Sequence, residues 1–157
     1  MPADWSNRYL RDIVVKWFDR SQDGKKWRSL FDRFIFLWIS FDAWGSNESR
    51  LMNDKMIDWV KTSSAKDVFK TLRPKIESDL KGLAEKGDIP SHMPRGTPIR
   101  LRDPHDFHNL MDVIYRIRNN LFHGHKSPED KDDLEFVTLA HEILSPLLRP
   151  FVDELRY

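Results

Sequence analysis

The chain contains no cysteine. Disulfides, thiolate zinc sites and thiol chemistry are thereby excluded, and a reducing compartment suits it. A charge excess is missing too: 26 Lys and Arg face 25 Asp and Glu, a formal net charge of +1. Binding to a polyanion would have to come from a local basic patch, not from a global field. Long apolar runs are also missing. The longest, Phe34 to Phe41, is interrupted by Ser40 and falls far short of the ~20 residues of a membrane helix. The opening residues Met1-Pro2-Ala3-Asp4-Trp5-Ser6 lack the basic region and hydrophobic stretch of a signal peptide. The expectation is a cytoplasmic protein with no membrane contact. No internal repeat, low-complexity tract or alternating strand pattern is visible.

What is present is helical periodicity. The 157 residues suit one domain, 1–157, large enough to bury roughly 70% of its unfolded surface. Residues 1–25 form an N-terminal extension with a helix over 7–20, carrying Tyr9, Leu10, Ile13, Val14, Trp17 and Phe18, with Ser6 as its cap and a break at Ser21-Gln22-Asp23-Gly24. From Trp27 through Leu30, Phe31, Phe34, Ile35, Leu37, Trp38 and Phe41 to Trp44, apolar residues recur every three or four positions, and Gly45 is the expected stop. This helix is apolar around most of its circumference and is expected to be central. Trp27, Trp38 and Trp44 read as packing residues, with Trp5 and Trp59 freer.

Shorter patterns predict helices over 53–61 and 64–86, the latter kinked at or restarted by Pro74. Residues 87–104 hold Gly87, Pro90, Pro94, Gly96, Pro98 and Pro104 and predict a long loop, a kind that tends to be functional. Two helices follow, over 105–122 and about 131–155, the second disturbed by Pro146 and Pro150. The predicted fold is all-α: an up-and-down bundle of about four main helices plus short ones.

The densest chemistry lies at the end of the 105–122 helix, in Tyr115-Arg116-Ile117-Arg118-Asn119-Asn120-Leu121-Phe122-His123-Gly124-His125-Lys126. With Ile114 at zero on a wheel, Arg118 falls about 40° away, on the edge of the apolar stripe. A guanidinium there needs a partner or a wet cleft. Arg116, Asn119 and His123 fall on the polar side, Arg116 on what reads as a solvated face. His123 lies five residues after Arg118, about 140° round an ideal helix. The two converge if the helix unwinds before His123, with Gly124 as a left-handed cap, or if each works with a partner chain. Spacing alone favours a simpler role for His123, an imidazole against the helix dipole. The bare Arg-x4-His pattern also occurs at Arg100 and His105, without the apolar helix behind it.

Other candidates carry less. His105 and His108 with Asp106 and Asp112 invite thought of a metal, but His123 and His125 lie some 25 Å further along the helix, and no metal site is expected. Arg95, Arg100 and Arg102 make a basic loop before the helix. It reads either as solvated charge or as a phosphate-binding flank. His141 reads as surface or core.

The segment from Val113 to Lys126 closely resembles the signature of the HEPN superfamily, small α-helical domains with an Arg-x4-6-His motif and often a polar residue after the Arg: here Arg118, Asn119 and His123. The aromatic run from Phe34 to Trp44 is similar to the first helix of some branches. The resemblance implies a homodimer in which two motif helices line one cleft. It implies either a metal-independent, cofactor-free RNase or a non-catalytic module that binds RNA, a nucleotide or a partner. Toxin–antitoxin and phage-defence settings are implied, with an antitoxin or other protein partner. Arg118, Asn119 and His123 would be catalytic. Arg116, Asn120, His125, Lys126, Arg100 and Arg102 would hold RNA phosphates. One branch has a Tyr two residues after the motif His, where a partner modifies it. This chain has His125 there, which sets it apart from that branch.

Overall fold

A computed structural model describes residues 4–24, 29–124, 127 and 129–156. Among these the chain forms six helices: α1 (Arg8–Ser21), α2 (Leu30–Ser49), α3 (Asn53–Thr62), α4 (Ala65–Glu85), α5 (Phe107–Phe122) and α6 (Lys131–Glu154). The fold is an all-helical bundle. The only strand-like pairing among the described residues is an isolated antiparallel bridge between Ile89 and Ile99. No helix is long and apolar enough to cross a membrane among them.

The apolar periodicity of α2 places it in the middle. Phe31, Phe34, Leu37, Trp38, Phe41 and Trp44 are buried, and α2 packs on α1, α3 and α6, while α4 packs on α6 and α3. The helix expected within residues 1–25 is α1, and it is part of the core: its Val14 and Phe18 are fully buried. Asn7, not Ser6, caps it, accepting the Tyr9 N–H. Ser29 caps α2 in a reciprocal box with Asp32. The expected early start of α2 at Trp27 lies outside the described residues.

Gly45 does not stop α2, which runs on to Ser49 and ends at Arg50 in the left-handed conformation. A Cβ at Gly45 would sit 2.5 Å from the Met56 sulfur. The glycine therefore serves a close approach of α3, not a cap. Pro74 lies inside α4, and the backbone leaves helical values at Ile76, the bend expected of a missing hydrogen bond. Pro146 and Pro150 are accommodated within α6. Trp59 and Trp5 are both engaged: Trp59 packs 5.7 Å from Trp44, and the Trp5 Nε1–H donates to Glu48 at 2.7 Å.

A buried polar node ties three helices together. The Ser21 carbonyl, left over at the end of α1, accepts from Arg33 Nε of α2 at 3.0 Å and lies 2.9 Å from His141 Nε2 of α6. His141 is 2% exposed. Burial pushes its pKa below the ordinary value, and nearby Arg33 pushes the same way. The ring is therefore held neutral, with its proton on Nε2. An unfolded chain takes up this proton near pH 6.5 while the folded one resists. Stability is thus complete above about pH 6.5 and falls as the pH drops below it. Urea unfolding at pH 7.5 and 5.5 is expected to show this loss. His141→Gln should flatten it, and an equally steep loss in that variant would reject the assignment.

Candidate functional site at the end of α5

The apolar stripe of α5 (Phe107, Leu110, Met111, Ile114 and Ile117) is buried in the core. Its polar face is not left to water. The segment between α4 and α5 is strapped to it by three side chains. Asn109 donates Nδ2–H to the Arg100 carbonyl at 3.0 Å and accepts the Arg102 N–H at 2.9 Å. Arg116 donates to the carbonyls of Ile89, at 3.2 Å, and Thr97, at 2.9 Å. Asn120, 2% exposed, donates to the Pro90 carbonyl at 2.9 Å. Ile89 and Leu101 anchor the same segment in the core. The expectation of a solvated Arg116 is therefore corrected. Burial lowers its pKa, yet it remains charged, and this charge fixes a loop. Asn120 likewise holds the loop.

The strap delivers His92. Its ring lies parallel to that of His123, with centroids 4.1 Å apart and an interplanar angle of 1°. No sequence signal marks this pairing, because a loop has no periodicity from which to project a side chain. His123 itself is the C-cap of α5, its N–H still bonded to the Asn119 carbonyl at 3.0 Å. Gly124 follows at φ +75°, as its expected left-handed role requires. The helix does not unwind before His123.

Arg118 takes a different set of neighbours. Its guanidinium carbon lies 4.3 Å from the Phe122 ring centroid and 5.5 Å from that of buried Trp38, a cation–π arrangement. Its Nη1 donates to Asn119 Oδ1 at 2.8 Å, and its Nε is buried with no acceptor among the described residues. Its place beside the apolar stripe is thus met by aromatic faces. Tyr115, the first residue of the motif stretch and one with no role assigned from sequence, packs 6.0 Å from Trp38 and points its hydroxyl at Asp54, 3.3 Å away. Burial, then the Asp54 carboxylate, raises the Tyr115 pKa, so the phenol stays protonated at neutral pH.

The structure thus groups Arg118 and Asn119 with Trp38, Tyr115 and Phe122, and His123 with His92. Arg100 and Arg102 are exposed on the strapped segment. Arg100 lies 3.9 Å from Asp88. His125 and Lys126 lie outside the described residues. His105 is bound to Glu77 at 3.0 Å. Among the described residues no group of three or more His, Asp or Glu side chains is placed to hold a metal ion.

No protein-family model, curated protein or solved structure compared with the chain matches it.

The strap can be tested by itself. Arg116→Met leaves two carbonyls without their charged donor, a loss of roughly 1–3 kcal/mol. Amide exchange at Ile89 and Ile99 is expected to accelerate about fivefold or more, with the buried amides of α2 and α6 changing far less. Unchanged exchange at the Ile89–Ile99 bridge would show that Arg116 does not hold the segment.

Proposed function

We propose that this chain is a metal-independent endoribonuclease working as a homodimer, with Arg118, Asn119 and His123 at its centre and His92 as a second imidazole. The observation that carries the reading is the His92–His123 pair at the end of the helix bearing Arg118 and Asn119. RNA cleavage by its own 2′-hydroxyl needs a base for that hydroxyl, an acid for the departing 5′-oxygen and positive charge on the phosphorane. Histidine exchanges protons near neutral pH, and two imidazoles side by side supply both roles. Arginine is a planar, permanently charged donor suited to phosphate oxygens. In this reading Asn119 orients the Arg118 fork through its Nη1 bond.

A second chain fits the separation of neighbours. Within one chain Arg118 and His123 pack against different partners, and Phe122, beside Arg118, is 41% exposed. A two-fold pairing of α5 ends would cover Phe122 and bring Arg118 of one chain towards the histidines of the other. The same observation favours a second reading. An arginine already held between two rings serves a non-catalytic module that binds RNA or a nucleotide, or that dimerises. The resemblance to HEPN domains supports either version, including a toxin or phage-defence setting and a protein antitoxin as partner.

Purified protein in EDTA is expected to cut RNA and leave cyclic-phosphate ends. His123→Ala and His92→Ala should each lower the rate by about 100-fold or more, with fold and dimerisation intact by circular dichroism and sedimentation. Cleavage equal in wild type and His123→Ala would reject the site. Absence of cleavage in a homogeneous dimer that still binds RNA, with binding weakened by Arg118→Ala, would establish the binding module instead.

A further inference from the structure

A second site lies at the opposite end of α5, about 24 Å away along its 16 residues. There a pocket of about 210 Å³ opens between the first half of α4 and the first turn of α5. Lys66, Lys70 and Arg73 form one wall, and His105 and His108 lie on the other. That space accommodates a phosphate group.

Three cations elsewhere in the protein are each neutralised by two carboxylates. Lys61 is held by Asp58 and Asp112, Lys86 by Asp132 and Glu135, and Arg156 by Asp19 and Asp153. Lys66 and Arg73 are also partly buried. Among the described residues no ion pair or side-chain hydrogen bond engages them or Lys70. They fall at i, i+4 and i+7, on one face of α4, where like charges repel. The one carboxylate on the wall, Asp106, is engaged in capping α5 through the Asn109 N–H. Glu77 nearby is matched by His105 and Lys81. Three converging cations without counter-ions, around a space of this size, suit an anion with several oxygens.

We infer that this pocket binds a phosphate group through Lys66, Lys70 and Arg73. The phosphate belongs to an RNA strand or to a small phosphorylated ligand. This inference does not rest on the ribonuclease reading and stands whether or not the chain cuts RNA.

The test titrates inorganic phosphate, and separately a short oligouridylate, into the full-length protein at low salt, following backbone amide and histidine-ring NMR signals. Phosphate is expected to shift the signals of residues 105–108 and of the start of α4. A Lys66→Gln/Lys70→Gln/Arg73→Gln variant should lose at least tenfold in affinity for phosphate while keeping its helical spectrum. If the oligonucleotide shifts the same signals and loses affinity in the variant, the phosphate is that of a nucleic-acid strand. If only inorganic phosphate does so, the ligand is a small phosphate. Lack of any shift at residues 105–108 with either probe, or equal affinity of variant and wild type, overturns the inference. The single variants Lys66→Gln and Arg73→Gln repeat the measurement should the triple variant misfold. The His123→Ala protein should bind phosphate here like wild type, which separates this site from the motif.

Discussion

The arrangement at the motif depends on hydrogen bonds from one helix face to the carbonyls of an irregular segment. Asn109, Arg116 and Asn120 make these bonds along the polar side of α5. Each proline in this stretch lacks a backbone donor, and its carbonyls need partners wherever they leave water. The helix supplies them from side chains. The core then reaches the surface in two layers: α5 packs its apolar stripe inward, and the segment before it packs on its back. His92 meets His123 only because that second layer is in register.

The aromatic content of α2 extends this order to Arg118. Trp38 lies in a tilted series with Phe34, Phe41 and Tyr115, and Arg118 rests above it. Rings set by the core position a charged group at the rim. Rotating the Trp38 ring would displace Tyr115 and Arg118 together, so the site is tied to the buried rings of the core.

Helix positions were legible in the sequence because burial imposes a period on it. The predicted helices over 53–61, 64–86, 105–122 and about 131–155 lie within two residues of α3 to α6 at each end. The errors have physical causes. Gly45 looks like a terminator, but glycine serves two purposes, and only the position of Met56 shows that close approach is the one in use. Arg116 looked solvated because a helical wheel knows one core and cannot foresee a loop covering the other face. His92 carried no signal, since its neighbour is fixed by tertiary bonds far from it in sequence. Arg118, by contrast, was visible as an anomaly: a charge beside an apolar stripe must have company, and it does.

The bend in α4 has a further geometric effect. Pro74 removes the donor that would have closed on the Lys70 carbonyl, and Ile76 departs from helical values just beyond it. A straight rod of 21 residues carries one fixed set of directions from end to end. Broken here, α4 becomes two short levers sharing a hinge. The later lever is seated in the core through Leu80 and Leu83 and the earlier one through Ala65 and Phe69, which leaves Lys66, Lys70 and Arg73 towards the start of α5. A single imino acid thus gives the two halves of one helix separate directions.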